Sequence, residues 1–461
     1  MFSKEELSEI FGQTVSENAD DICIDSRSVK KGDVFVAVKG EQYDGHDFIK
    51  QAVNDGAAFA ISERNVQGID SDRIIKVDSS FEALNKLAKY NVAKTAAKYV
   101  GITGSVGKTT TKQLIYHALS KQPELRGKVY TTRKNFNGQI GLPICAATMP
   151  RSTEIGVFEM GMSARGEIKK LLKIIQPSVS VISQICETHL EFFGSIWEIA
   201  KAKAEIFETA APQEAAIIPA DCAFADFLKQ KARENGIKNI FTFGSQDSDA
   251  KILECRQREE SSEIVAEILG EKVRYEVCGV SDSLIRNILS SLLCAHVISK
   301  IPLQKLADAL ASFESPSGRG GVFHLKERDI ILIDDAYNAC PTSVKSAIRS
   351  LAKYEGCRKI LALGDMLELG RDANLYHENL SATIDKYGVD LVFTCGSLSK
   401  YLFDNLRDCK KGGYFENSAQ LAEKISDKIK NDDCVLVKGS NSMKMNLVVE
   451  AVKRLENSNV L

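Results

Sequence analysis

The chain has 461 residues, 44% hydrophobic and 26% charged, a soluble globular composition with room for about two to four domains. Sixty Lys plus Arg against 62 Asp plus Glu leave a net charge of −2, which gives no reason to expect a nucleic-acid partner. No long uncharged apolar run could span a bilayer, and the start Met1-Phe2-Ser3-Lys4-Glu5-Glu6-Leu7 lacks the basic-then-apolar pattern of a signal peptide, so a cytoplasmic protein is expected.

In chain order, residues 1–85 carry short strand-like runs such as Asp33–Val38, with a helix expected over Phe48–Asp55, and read as a small α/β domain. Residues 86–314 alternate strand and helix. Tyr99–Ile102 feeds a glycine turn and a helix over Thr111–Ser120, and Val157–Phe158, Val179–Ile182 and Ala215–Ile218 read as buried strands. That alternation argues for a mainly parallel sheet covered by helices. Lys251–Arg256 and Lys272–Cys278 bracket a polar stretch and suggest an antiparallel excursion, followed by helices over 282–299 and 303–313. Glu314–Gly321, with one proline and three glycines, reads as a linker. Residues 315–461 alternate again, with strands expected at Ile330–Ile333, Ile360–Leu363, Leu391–Phe393 and Val435–Val437, a second and smaller doubly wound domain. The 12 cysteines contain no Cys-x-x-Cys pair, and several, including Cys145, Cys395 and Cys434, lie in apolar strand-like contexts. They read as buried, reduced thiols rather than a zinc or redox motif.

The sharpest motif is Thr103-Gly104-Ser105-Val106-Gly107-Lys108-Thr109-Thr110, between a strand and a helix. Glycines let backbone N–H groups turn toward a polyphosphate, and the helix N-terminus adds partial positive charge. Lys108 can reach the terminal phosphates, and the Thr109 hydroxyl can bind Mg²⁺. Ile102 stands where the longer phosphate-loop pattern has a glycine, so the loop is the shorter Gly-x-x-Gly-Lys-Thr form. Magnesium needs further oxygen or nitrogen ligands. Glu159 ends the run Ile155–Phe158, where a carboxylate points into the crevice of a parallel sheet, although a helix-start acid would look the same. His189, in Glu187-Thr188-His189-Leu190-Glu191, would by itself more often be structural. A helix over Trp197–Phe207 carries Lys201 and Lys203, and residue chemistry alone reads both as a solvated face.

Together these pieces resemble the Mur ligase family, which also includes folylpolyglutamate synthetase, in order along nearly the whole chain. The family's Thr-Gly-x-x-Gly-Lys-Thr loop matches residues 103–109, its Glu-x-Gly step matches Glu159-Met160-Gly161, and its His-Leu-acid step and later Ala-Lys match His189-Leu190-Glu191 and Ala202-Lys203. Asp334-Asp335-Ala336-Tyr337-Asn338-Ala339-Cys340-Pro341 is similar to the Asp-x-Tyr-Asn-Ala-Asn-Pro signature of the branch that adds D-alanyl-D-alanine. Asn135–Pro143 resembles that branch's asparagine-rich loop. Asp25-Ser26-Arg27, Gly32–Phe35 and Asp44–Phe48 resemble its UDP-recognising domain, and Val437–Met443 also fits. The Asp-Asn-Pro-Arg motif of the branch that adds the third residue is absent, as is the Asp-x-Ala-His-Asn-Pro variant of folylpolyglutamate synthetase. Cys340 and Gly138 each replace an asparagine, and Ser283-Leu284-Ile285-Arg286-Asn287 replaces His-Asn-x-x-Asn, which leaves Asn287 for the adenine contact.

The resemblance implies a three-domain α/β enzyme with a small N-terminal UDP-binding domain, a central ATP-binding domain and a C-terminal Rossmann-like domain. It implies ATP-dependent ligation of D-alanyl-D-alanine to UDP-N-acetylmuramoyl-tripeptide through an acyl phosphate. Gly104 to Thr110, Asn287, Arg319 and Asp334 would bind ATP; Ser26, Arg27, Asn135, Asn137, Tyr337 and Asn338 would bind the other substrates. Lys108, Glu159, His189 and Lys203 would be catalytic, with Thr109, Glu159, His189 and a carbamylated Lys203 holding Mg²⁺. A monomer is expected, with the last domain closing about the linker. The third residue of the tripeptide, diaminopimelate or lysine, stays open. Rival readings are a sister ligase with another amino acid, a phosphoryl-transfer kinase and a nucleotide-binding switch; which amine drives ATP turnover separates them.

Overall fold

The structure, a computed structural model, describes every residue except 41, 134, 258–260, 279–280 and 458–461. It comprises two compact units. The first takes residues 1–101, 123–178 and 208–213; the second takes 102–122, 179–207 and 214–461, and so contains all of the expected last segment.

In the first unit, β1 (Ile22–Cys23), β2 (Val34–Val36), β3 (Phe59–Ser62) and β4 (Ile74–Lys76) form a parallel sheet in that order. Its core gathers Phe35, Ala37, Ile49, Ala52, Val53, Ala57 and Ala60. The helix expected over Phe48–Asp55 is a 3-10 turn, Gly45–Phe48, running into an α-helix, Ile49–Asn54. Asp44 caps the turn by accepting from His46 N at 3.1 Å, which starts the element earlier than the apolar pattern does. β5 (Lys98–Thr103) carries the chain from the first unit into the second. β6 (Val129–Thr131) pairs in parallel with β7 (Ile155–Glu159), which is buried along its whole length. Cys145 lies in the helix Gly141–Ala147 rather than in a strand, because Pro143 in the first helical turn fixes φ without costing a needed N–H.

In the second unit, β8 (Val179–Ile182), β9 (Ala215–Pro219), β10 (Asn239–Phe243) and β11 (Ala250–Gln257) pair in parallel. β11, β12 (Ser261–Ile268) and β13 (Glu271–Cys278) then form an antiparallel meander. The expected excursion is therefore present with one more strand, β12, in the stretch read as polar. Its buried residues Ser262, Ile264, Ala266 and Ile268 alternate with partly exposed ones, the period-2 signal of a half-buried strand. Part of that stretch, residues 258–260, lies outside the described residues. The loop helix runs Lys108–Ser120, three residues longer at its start than Thr111–Ser120, because left-handed Gly107 turns the chain straight into it. The helix expected over 197–207 is α over Ile196–Ala204 and 3-10 over Glu205–Phe207; that over 303–313 is α over Leu303–Asp308 and 3-10 over Ala309–Ser312.

The last segment forms a six-stranded sheet: β14 (Gly321–Leu325), β15 (Ile330–Asp335), β16 (Arg358–Gly364), β17 (Leu391–Cys395), β18 (Lys411–Phe415) and β19 (Asp433–Lys438), in the order β14-β15-β19-β16-β17-β18. All pairings are parallel except β14 with β15. β14 and β18 are edge strands with little buried apolar surface, which is why the sequence did not single them out. β19 is buried at all six positions and packs on both faces, with Leu436 toward one core and Val435 and Val437 toward the other. Among the described residues no helix is long and apolar enough to cross a membrane. Leu436→Ala, at 0% exposure, should cost about 2–5 kcal/mol in urea unfolding. A loss within about 0.5 kcal/mol, the surface-substitution range, would contradict this account of the core.

Candidate active site

The phosphate loop belongs to the second unit, apart from its first strand residues, and its backbone admits few alternatives. A Cβ on Gly104 would collide with Ser183 Oγ, and one on Gly107 (φ +86°) would lie 2.6 Å from Asn287 Oδ1. The residues after β8 brace the loop. Ser105 N donates to Gln184 O at 2.6 Å, Ser105 Oγ donates to Cys186 O at 3.0 Å, and Ser183 Oγ donates to Val106 O at 2.6 Å. Thr109 and Thr110 are buried in the first turn of the loop helix, and a helix N-terminus favours an anion. Asn287 is placed against the loop itself, at Gly107.

Two lysines converge on one carbonyl. Lys108 Nζ donates to Gly104 O at 2.8 Å and to Ser105 O at 3.2 Å, and Lys203 Nζ donates to Gly104 O at 2.8 Å. Lys203 is 2% exposed, so the solvated face expected from residue chemistry alone is wrong for it, whereas Lys201 is on the surface, donating to Glu198 Oε1 at 3.0 Å. At 100° per residue, two positions apart on a helix point to opposite sides. Burial pushes the Lys203 ammonium well below the usual lysine range, and the nearby Lys108 charge pushes it the same way.

His189 has a left-handed backbone (φ +59°), and its Nδ1 lies 2.5 Å from Oε2 of Glu368, itself left-handed (φ +61°). Glu191 N donates to Glu368 O at 3.1 Å. The His189 ring holds the Glu368 carboxyl below its ordinary range. Nδ1 turned to a carboxylate leaves Nε2 as the ligating nitrogen, the usual arrangement for a metal-binding imidazole. Glu368 does not stand out in the sequence as a site residue. Its signal was an acid just past a parallel strand, in Gly364-Asp365-Met366-Leu367-Glu368 after β16, the same context that picked out Glu159.

Arg319, Asp334, Tyr337 and Asn338 are brought together. Asp334 accepts from Gly318 N at 2.9 Å and Ala336 N at 3.3 Å, Tyr337 N donates to Gly318 O at 3.0 Å, and the Arg319 guanidinium stands 3.8 Å over the Tyr337 ring. Lys438 pairs with Asp335 and donates to Asn338 O at 3.0 Å. Asp334 thus has a structural task, bracing the linker, that the motif alone did not reveal.

In the first unit, buried Glu159 accepts from Asn137 Nδ2 at 2.7 Å, and Gly161 N donates to Asn137 O at 2.8 Å. Asn135 O accepts from Asn137 N at 2.8 Å, so Asn135, Asn137 and Glu159 form one cluster. Ser26 and Arg27 sit elsewhere in that unit's sequence, in the 3-10 turn Ser26–Ser28, where Arg27 is exposed and forks onto Asp25 at 2.8 and 2.7 Å.

Comparison with known proteins bears directly on this arrangement. Three family models match in order: the Mur ligase family catalytic domain over residues 19–94, the Mur ligase middle domain over 102–295 and the Mur ligase glutamate ligase domain over 318–441. The UDP-N-acetylmuramoyl-tripeptide–D-alanyl-D-alanine ligase of Rickettsia prowazekii is 34% identical, covering 94% of this chain and 95% of its own; that of Bacillus subtilis is 32% identical, covering 93% and 92%. Among solved structures, MurF from Acinetobacter baumannii has a TM-score of 0.87 at 26% identity, covering 98% and 99% of the two chains. MurF from Thermotoga maritima in complex with ADP has a TM-score of 0.84 at 29% identity, covering 96% and 99%. The three-domain α/β architecture expected from the sequence is the architecture shared with these structures. Lys108→Ala should leave the fold intact and lower turnover by on the order of 10²–10³, because it removes a charge that stabilises developing phosphate charge. Near-normal turnover by a folded Lys108→Ala protein would remove the phosphate loop from the chemistry.

Proposed function

This chain belongs to the Mur ligase family, and we propose that it joins D-alanyl-D-alanine to UDP-N-acetylmuramoyl-tripeptide at the expense of ATP, giving the UDP-muramoyl-pentapeptide of peptidoglycan synthesis. The observation that carries this reading is the end-to-end match to D-alanyl-D-alanine ligases, with the Tyr337-Asn338 signature held beside Arg319.

A carboxylate is a poor acyl donor, so its conversion to an acyl phosphate is the task. The terminal carboxylate of the tripeptide attacks the γ-phosphorus of ATP, and ADP leaves with the bridging electron pair. The amine of D-alanyl-D-alanine then attacks the acyl carbon, loses a proton and expels phosphate. The protein positions these groups and neutralises charge. Lys108 leaves the Gly104 carbonyl for the β- and γ-phosphate oxygens, beside Gly104, Ser105, Val106, Gly107 and Thr110 and the helix N-terminus. Asn287 and Arg319 flank the nucleotide, and Asp334 fixes the linker that carries Arg319. Tyr337 and Asn338 meet the dipeptide. Ser26, Arg27, Asn135 and Asn137 serve the UDP-linked acceptor.

The donors fit magnesium. The Thr109 hydroxyl is an oxygen donor of the kind a hard cation takes, and His189, through Nε2, and Glu159 keep the magnesium-ligand roles that the resemblance implies. Bound Mg²⁺ would neutralise phosphate charge. A protonated Lys203 would repel such an ion, but burial and Lys108 disfavour the ammonium, and the neutral amine is the form that adds CO₂. A carbamate there turns a mismatched cation into an oxygen ligand. Action in the cytoplasm fits the use of ATP.

Phosphate release should require ATP, the UDP-tripeptide and D-alanyl-D-alanine together, with neither glutamate nor lysine replacing the dipeptide. A free amino acid serving as well as the dipeptide would move the chain to a sister ligase. Lys203→Ala should lose most ligase activity while ATP still binds, and acetate should restore part of it by replacing the missing anion. Lys201→Ala is the control, expected to be near wild type. The reverse ranking of the two lysines would rule out the carbamate.

A further inference from the structure

We propose that Cys186, Glu187 and Cys340 form a binding site for a thiophilic divalent cation of the zinc class, distinct from the magnesium set. One donor atom from each residue lies within 4.8 Å of the others, and both cysteines are buried. The two sulfurs stand 3.4 Å apart although 154 residues separate them in sequence. Two thiolates bonded to one zinc ion at 2.3 Å with a tetrahedral angle stand about 3.8 Å apart, so binding requires a shift of only a few tenths of an ångström.

The carboxylate is already oriented. Glu187 Oε2 accepts from Thr342 N at 3.3 Å and from Thr342 Oγ1 at 2.6 Å, which directs the carboxylate as outer-shell partners of metal ligands do. Cys340 is the N-cap of the helix Pro341–Leu351, where the helix N-terminus favours a thiolate. The contact between the two thiols holds Cys340 below its ordinary range and, with burial, pushes Cys186 well above its own, so it is the geometry of the pair that carries the site. Binding converts two thiols to thiolates and releases two protons, with no electron transfer, and leaves a fourth position for water. Two soft sulfurs and one oxygen select zinc-like ions over magnesium.

The location sets the consequence. Cys186 O accepts from Ser105 Oγ of the phosphate loop, and Cys340 opens the helix that follows the Tyr337-Asn338 signature. A cation held by both would tie the loop's brace to the last segment and slow any turnover that needs them to part.

Cobalt(II) titrated into the reduced, full-length protein in excess Mg²⁺ tests the site. The expected result is a thiolate-to-cobalt charge-transfer absorption that saturates at about one equivalent, as for a single site, and is displaced by Zn²⁺. Cys340→Asn, which restores the residue of the related signature, should abolish the absorption while ligase turnover in Mg²⁺ alone stays near wild type, and Cys186→Ala should abolish the absorption as well. Cys357→Ala should retain it. Zn²⁺ should inhibit the wild type at concentrations at least about tenfold below those needed for either variant. Circular dichroism establishes that the variants are folded, and two independent ligand variants keep the test decisive if one is not. Absence of the absorption in the wild type, its survival in Cys340→Asn, or loss of both thiols to a Cys186–Cys340 disulfide with no metal retained would overturn the proposal.

Discussion

Lys108 and Lys203 both donate to the carbonyl of Gly104, each at 2.8 Å, and that shared oxygen organises the chemistry of the second unit. Two ammonium groups so close repel one another, and Lys203 is 2% exposed, where water screens little of that repulsion. A lone carbonyl dipole cannot offset the desolvation of a full charge, which costs several kcal/mol even after relaxation. For Lys108, which can swing, the remedy is polyphosphate; for buried Lys203 it is loss of the proton, the form that the proposed carbamate would need. The site is built to be electrostatically incomplete without its reactants, so their binding and their positioning draw on the same free energy.

That arrangement works only on a rigid loop. Ser183, Gln184 and Cys186 hold the phosphate loop from behind, and a few residues further along the same segment contacts the last segment instead, Glu187 through Thr342 and His189 through Glu368. His189 and Glu368 both adopt left-handed backbone that L-residues with side chains rarely occupy, at a cost of about 1–3 kcal/mol each. Such geometry persists where surrounding contacts over-determine it, and here the backbone bond from Glu191 to Glu368 supplies one of them. The short stretch after β8 therefore joins nucleotide-side and last-segment elements, alongside the ion pair of Lys353 with Asp282.

The sequence made legible what recurs with a fixed period or spacing. Buried parallel strands such as β8 and β19 stood out as apolar runs, and the phosphate loop was readable because its glycines, lysine and threonines have no other common use in that order. Edge strands β14 and β18 and the amphipathic β12 were less visible, since half or more of their residues face away from a core. Lys203 shows the limit of residue chemistry. A lysine on a short helix looks solvated until the helix is docked, and only the family resemblance separated it from Lys201. Glu368 and Glu187 were missed because their partners, His189 and Thr342, lie far off in sequence, and pairings of that kind carry no local period.

The signature residues proposed to meet the amine lie on the last segment and are held mainly by backbone contacts. Tyr337 is fixed at its amide by Gly318 O, and a Cβ on Gly318 would lie 2.9 Å from Tyr337 N, so the linker and the tyrosine must be placed together. Asn338 is fixed at its carbonyl by Lys438, whose charge is matched by Asp335. The Arg319 guanidinium stands over the Tyr337 ring at 3.8 Å, so the linker cannot move it without giving up that contact. One group of residues therefore holds both an arginine assigned to the nucleotide and the tyrosine assigned to the incoming dipeptide. If the proposed roles hold, coupling the two in this way would make the placement of one substrate favour that of the other, the requirement of an enzyme whose acyl phosphate must meet its amine before water does.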